Sequence, residues 1–347
     1  MTRLRQSVGL TALAGLLVLA LGGLSRAADE HPAPSAQGPR TWVVAQDGSG
    51  QFASIQEAVD ASGKGDTILV KAGRYAEDVT IHSKERLKLV GEGMDRVTIL
   101  GRERVGVFHV GKWPYGATDV EISDLTINEH GGHAMGIFNG RGIVLRRVRI
   151  NGMLFGQQVQ NVRVERCVIG GSETTGVQLA NSQAVLVENF IHDNDHGVQA
   201  AGKSEVRLER NVITRSLFEG VVVTDQARAT VRSNTIVKNG GGAAFLGTSQ
   251  SDVAGNIVGL NRIGFVVAPT SRVAFAANAM HNADGDYLRA GSPPVPAPDL
   301  QSAADMPGDP RFVDPARDDY RLRADSPLRN VAGFAYLGAL APVSSTP

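Results

Sequence analysis

Residues 189–282 read NFIHDNDHGVQAAGKSEVRLER, NVITRSLFEGVVVTDQARATVRS, NTIVKNGGGAAFLGTSQSDVAG, NIVGLNRIGFVVAPTSRVAFAA, NAMHN, broken here before each recurring asparagine. Asn189, Asn211, Asn234, Asn256 and Asn278 are spaced by 22, 23, 22 and 22 residues, and each opens an Asn-x-apolar triplet. Cys167 holds the same slot one period earlier, in CVI. Eight or nine residues after each of these positions stands a glycine: Gly176, Gly197, Gly220, Gly242 and Gly264. Between the two series lie short alternating β-branched runs such as Val206-Arg-Leu208 and Val221-Val-Val223, too short and too rich in Gly and Asn for helices. A period of this size with several short strands per repeat predicts a solenoid of stacked β coils, each about 4.8 Å above the last. Like residues then form ladders. A buried asparagine at a repeated turn supplies the hydrogen bonds its neighbours need, so the Asn series reads as architecture and not as catalysis. The glycines mark a bend that needs either positive φ or a close backbone approach.

The repeat is clear from about Asp119 to Asn282 and continues upstream less regularly, in Ile68 to Val70, Val79 to Ile81, Leu87 to Val90, Val97 to Leu100 and Val107 to Val110. About ten coils follow, a rod roughly 50 Å long at the strand spacing. One coil has two registers. Aligning Asn189 with Asn211 places Glu188 between Arg166 and Arg210; a shift by one places it between Glu165 and Glu209. The first is favoured, because opposite charges on neighbouring strands attract and like charges repel.

Around this core, 1–27 reads as a secretory signal: Arg3 and Arg5 precede an uncharged run from Val8 to Leu24, and Ser25-Arg-Ala27 offers a cleavage site. The rival, a membrane anchor, would need a longer run. Residues 28–40 are then a flexible mature N-terminus, 41–290 the β-helix with its cap, 291–308 a Pro-rich connector and 309–347 a capping tail. Ser54-Ile-Gln-Glu57 is a capping-box pattern opening a short helix with Ile55, Ala58 and Val59 on one face, the expected plug at the front end. The expectation is a secreted or periplasmic monomer with no membrane span after cleavage. The whole chain carries 35 basic and 35 acidic residues; removing 1–27 takes three arginines and leaves 32 − 35 = −3. With no basic run, nucleic acid is excluded as a partner. Cys167 is the single cysteine, so no intrachain disulfide forms.

Val44-Ala-Gln-Asp-Gly-Ser-Gly-Gln-Phe-Ala-Ser-Ile-Gln-Glu-Ala-Val59, with Ile68-Leu-Val-Lys-Ala-Gly-Arg-Tyr75 after it, resembles the opening of pectin methylesterases and of the wider pectin-lyase-like superfamily. The tail DPRFVDPARDDYRLRADSPLRNVAG is similar to the closing segment of many secreted bacterial β-helix proteins. The resemblance implies an all-β, single-stranded right-handed parallel β-helix with an N-terminal helix cap and a C-terminal capping tail. It carries over no catalytic residue: the Q-D-T and D-F-I-F-G motifs of the methylesterases are missing. So are the N-T-D, G-H-G and R-I-K motifs of polygalacturonases, the D-P-H of alginate epimerases and the R-x-P-x-x-R of pectate lyases. The one D-D pair, Asp318-Asp319, lies in the tail.

Chemistry is therefore sought in the turns after the Asn ladder. Stacking the coils collects Glu129, His130, His133, Glu173, His192, Asp193, Asp195, His196, Arg215, Glu219, Lys238 and Arg262 along one side of the rod. An acidic polysaccharide needs cations or bound Ca²⁺ to neutralise its carboxylates, and β-elimination needs a base for the C5 proton. His192, His196, Arg215 or Lys238 would be that base; Asp193, Asp195 and Glu219 would bind a metal or form an acid pair for hydrolysis. His130, His133, Glu173 and Arg262 would hold substrate, with Trp113 and Tyr115 as an aromatic loop that stacks on sugar and Met153, Leu154 and Phe155 as an apolar floor. The plain alternative is solvated turn residues, since no spacing here matches a defined metal or catalytic motif. Two function classes stay open: a polysaccharide lyase, hydrolase or epimerase, or a non-catalytic glycan-binding, surface or periplasmic accessory protein.

Overall fold

A computed structural model describes residues 38–102 and 106–343, with the backbone alone over 129–132; the signal-like 1–27 and residues 28–37 lie outside the described residues. Each coil supplies three short strands that pair in parallel with those of the next coil, giving three walls. The first runs from Thr41–Val44 and Thr67–Val70 to Arg272–Ala276. The second runs from Gly73–Ala76 to Met306–Pro307. The third runs from Val79–Ile81 to Tyr287–Arg289. The product is a right-handed parallel β-helix of about 11 turns, one more than the repeat spacing suggested. Its axis is filled by inward rows of Val, Ile and Leu, such as Val164, Leu186, Leu208, Val231 and Val253.

The corner between the first and second walls is built from one left-handed residue followed by one buried amide. Arg166, Glu188, Arg210, Ser233 and Ala277 have positive φ just ahead of Cys167, Asn189, Asn211, Asn234 and Asn278. Each Asn Nδ2 donates to the Oδ1 one coil on, at 2.9–3.0 Å from Asn189 through Asn256, and also to a carbonyl of the coil behind. Glu188 sits between Arg166 (2.9 Å) and Arg210 (3.2 Å), the opposite-charge register. A second ladder, from Asn194 through Ser216 and Asn239 to Asn261 and Asn282, turns the chain from the second wall to the third. The Gly series beside it has negative or extended φ; its requirement is close approach, since a Cβ on Gly197 would run into Gly220 O and Ile213 Cγ2 of the wall.

At the front, helix Ile55–Ala61 buries Ile55, Ala58 and Val59 against the first coil. Ser54 caps it by accepting from Glu57 N, but the reciprocal role of the capping box passes to Glu77, which accepts from Ser54 Oγ, Ile55 N and Gln56 N. At the back, the connector closes the coil end. Val295–Pro296 pairs antiparallel with Tyr287–Arg289, Leu300 packs on the core, and Asp305 ends the Asn ladder by accepting from Asn278 N at 2.7 Å. The tail beyond does something the sequence did not indicate: it lies along the outside of the second wall. Phe312, Tyr320, Leu322, Leu328 and Leu337 cover Val212, Val237, Ile257 and Ala279 there. The outward side of that wall is apolar, so it needs a cover as much as the coil end does.

Candidate functional site on the third wall

The charged turns identified from the sequence divide into two groups facing different ways. Asp193, Arg215 and Lys238 occupy stacked left-handed positions between the second and third walls, and they hold the tail. Arg215 makes a two-pronged bond to Asp193 (2.7 and 2.9 Å) and reaches Asp318 with its third nitrogen. His192 Nδ1 is 2.6 Å from the same Asp193 carboxylate. Lys238 donates to the Pro315 carbonyl and lies over the Tyr320 ring. Hydrogen bonding from Arg215, and then from His192, holds the Asp193 carboxyl down at about 2. Arg215 and Lys238, offered above as bases, are thus fixed cations of a tail-docking site. Glu173 and Asp195 border the shallow hollow beside them, and Arg262 pairs with Asp284 at 3.5 Å. Asp193, Asp195 and Glu219 do not converge: Asp193 turns to Arg215 and Glu219 to His196. Among the described residues no three His, Cys, Asp or Glu side chains gather about one point.

The second group lies on the third wall. Its outward column runs coil by coil through His109, Gly136, Phe155, Gln178 and Gln199 before turning apolar at Val222 and Ala244. Strand alternation dictates this: Phe108 and Val110 point into the core and leave His109 outside, as Leu154 does for Met153 and Phe155. His133 comes up beside His109 through an irregular register between His133 and Met135, and their Nε2 atoms are 3.1 Å apart. Phe138 and Phe155 pack about them with ring centroids 5.7–6.2 Å away. Burial pushes the pKa of both imidazoles down, and His133 adds to the effect on His109. The loop that leaves Val110 beside Phe138 carries Trp113 and Tyr115 into solvent, 71% and 62% exposed. Along the leading edge of the wall, Met153 touches Thr174 and His196 follows. The His196 ring stacks on Phe218 at 5.2 Å, and its Nδ1 is 3.3 Å from Glu219 Oε2.

His133, His196, Glu219, Trp113 and Tyr115 therefore share one wall, whereas His192, Asp193, Arg215 and Lys238 serve the tail. The side chains of Glu129 and His130 lie outside the described residues. Sequence reasoning passed over His109, Phe138, Gln178 and Gln199. The signal was present in the alternation of Phe108-His-Val110 and Val177-Gln-Leu179, which sends the middle residue outward.

Two family profiles match the chain: "Pectinesterase" over residues 41–133 and "Right handed beta helix region" over 176–292. A probable pectinesterase/pectinesterase inhibitor of Arabidopsis thaliana is 46% identical over 66 residues, 18% of this chain and 13% of its own length. A pectinesterase/pectinesterase inhibitor of Ficus pumila var. awkeotsang is 44% identical over 68 residues, 18% and 12% of the two chains. The chain thus spans about an eighth of these curated relatives. Among solved structures, XylC in complex with xylose superposes with a TM-score of 0.52 at 10% identity, over 71% of this chain and 69% of that one. At that identity the likeness is one of fold.

Proposed function

We propose that this right-handed β-helix, whose front resembles the pectinesterases, belongs to the pectin-lyase-like proteins, is exported and takes hold of an acidic, pectic-type polysaccharide along the third wall. The observation that carries this reading is the imidazole–phenyl platform of His109, His133, Phe138 and Phe155, continuous with Gln178, Gln199 and the His196–Glu219 pair on one half-buried, outward-facing strip. Sugar rings present C–H faces that stack on aromatic side chains and hydroxyls that pair with Gln and His. A chain laid along the rod would meet such groups on successive coils. The pectinesterase match at the front supports the pectic class. No helix among the described residues is long and apolar enough to cross a membrane.

The strip also narrows the chemistry. Carboxyl-pair glycoside hydrolysis needs two carboxyl groups flanking one bond; among the described residues of the strip Glu219 has no second carboxyl beside it. Base chemistry at a uronate C5, or binding without cleavage, fits the imidazoles better. Purified protein would be tested against pectate, alginate, heparin-type and neutral glycans with and without Ca²⁺, following binding, reducing ends, unsaturated products and ester release together. The expected result is selective binding of an acidic glycan, weakened roughly 3- to 10-fold by Phe155→Ala through loss of a stacking partner. An unsaturated product lost in His196→Ala would add lyase activity. Absence of binding to any glycan, or binding untouched by Phe155→Ala and His133→Ala, would overturn the reading.

A further inference from the structure

An acidic glycan on the third wall raises an electrostatic question. The described side chains of the platform beneath it are imidazole and phenyl rings. Uronate carboxylates need more positive charge than that.

We propose that His109 and His133 form a two-imidazole binding site for a borderline divalent transition-metal ion such as Zn²⁺, open on its remaining positions to water or to a carboxylate of the glycan. The proposal rests on the third wall being the glycan-binding face. Two observations on the pair support it. First, the two Nε2 atoms face each other at 3.1 Å. The pair shares one Nε2 proton in a nearly head-on hydrogen bond. Two nitrogens each about 2.0–2.1 Å from a tetrahedral ion are separated by about 3.3 Å, so an ion enters when the pair opens by a few tenths of an ångström, the rings tilt to aim both lone pairs at it and the shared proton moves to Nδ1 of its ring. Second, their surroundings fix the rings. Phe138 packs on both imidazoles and Phe155 on His133, while the backbone of Gly106 passes so close that a Cβ there would run into the Nε2 atoms of both. The two donor atoms are thereby presented together before any ligand arrives, which lowers the ordering cost of binding.

Donor chemistry selects the ion. Imidazole nitrogen suits Zn²⁺, Ni²⁺ and Cu²⁺, whereas Ca²⁺ takes six to eight oxygens, so calcium would gain nothing from this pair. With two protein ligands among the described residues, the site is the open kind, and its affinity is set by the pair together.

The test is equilibrium dialysis of the full chain against Zn²⁺ and separately Ca²⁺, followed by isothermal titration of His109→Gln and His133→Gln, with His82→Ala and His281→Ala as surface-histidine controls. One Zn²⁺ per chain is expected, with no competition from Ca²⁺. Either platform substitution should weaken binding by at least ~tenfold, and neither control should change it. A thermal melt of each variant without metal separates loss of the site from loss of the fold. If a variant melts early, the pair Phe138→Leu and Phe155→Leu, which loosens the rings while retaining both ligands, replaces it and is expected to weaken Zn²⁺ binding less than ~tenfold. No binding at ~100 μM Zn²⁺, or binding that survives both histidine changes, would overturn the proposal. Glycan binding measured in chelator keeps the two readings apart: glycan bound without any Zn²⁺ site sinks only the metal proposal, and a Zn²⁺ site without glycan binding sinks only the polysaccharide reading.

Discussion

Asn194 Nδ2 is buried and donates to nothing among the described residues, and the Ser216 hydroxyl one coil on is likewise without a partner. Both follow from one substitution in the second ladder. Backbone pairing is the same at each step: Leu217 N bonds Asn194 O, Gly240 N bonds Ser216 O and Arg262 N bonds Asn239 O. Ser216 thus stands where an asparagine would, but its side chain is too short to reach Asn194. An unmet buried donor costs about 1–3 kcal/mol. Ser216→Asn should therefore raise the free energy of unfolding by about 1 kcal/mol, read as a higher urea midpoint; a lower midpoint would mean that the corner has no room for an amide. Asn234 in the intact ladder gives the opposite case. Removing it leaves Asn211 N without its acceptor, takes one of the two acceptors of Asn211 Nδ2 and removes the side-chain donor to the Leu208 carbonyl, and Asn234→Ala should cost roughly 2–4 kcal/mol in the same assay. Cys167, in the same slot one coil earlier, is buried with its thiol pushed up to about 12 by desolvation. It should stay unmodified by thiol reagents until the rod unfolds.

At the scale of elements, the tail is bonded to the rod by an apolar layer and by one charged corner, and the two should fail under different conditions. Leu322 and Leu337 are fully buried in the layer between the tail and the second wall. Leu337→Ala is expected to cost about 2–5 kcal/mol of docking, leaving the rod folded while trypsin cuts the tail at Arg311, Arg317 or Arg321. Cleavage no faster than in the parent would show that the layer is not what holds the tail. The charged corner responds to acid instead. The Asp193 carboxyl sits at about 2, below the ~3.9 of an unfolded chain. Burial pushes Asp318 up, but hydrogen bonds from Tyr320 and Arg215 bring it below its ordinary value. A carboxyl depressed by folding contributes stability that is complete above its unfolded pKa and disappears as pH falls through the folded one. The parent should therefore lose more stability between about pH 4 and pH 2 than Arg215→Gln does, since that variant has already lost the link. Parallel loss in the two proteins would rule the corner out as the acid-sensitive contact. Both carboxylates are partly exposed, so the effect is one of shape in the pH profile more than of size.

For the whole molecule, what could be read in advance depended on whether the chain kept count. The Asn-x-apolar triplets return every 22 or 23 residues, and that alone gave the coil, the corner and, through Glu188, the register. Where the count is interrupted, by the loop after Val110 and the irregular register beside His133, stacking residues by spacing no longer finds neighbours, and His109 went unnoticed beside His133. The tail has no repeat at all, so its place on the second wall was invisible, and with it the partners that claim Asp193, Arg215 and Lys238. The repeat also leaves its own last coil unprotected. The final strands Arg272–Ala276 and Ala279–His281 would present open backbone edges, which recruit other chains. Their cover is the segment around 295–307, and Asp305 pins it: one carboxylate accepts from Asn278 N, from Ser302 N at 2.8 Å and from the Tyr287 hydroxyl at 2.5 Å. Asp305→Ala removes all three bonds while leaving the tail's contacts with the second wall intact. If this pin keeps the rod end closed, the variant should associate end to end as concentration rises, seen as growing mass in light scattering, while the parent does not change. A variant whose mass is independent of concentration would show that the apolar seat of Leu300 and Ala297 is enough to shield the last coil.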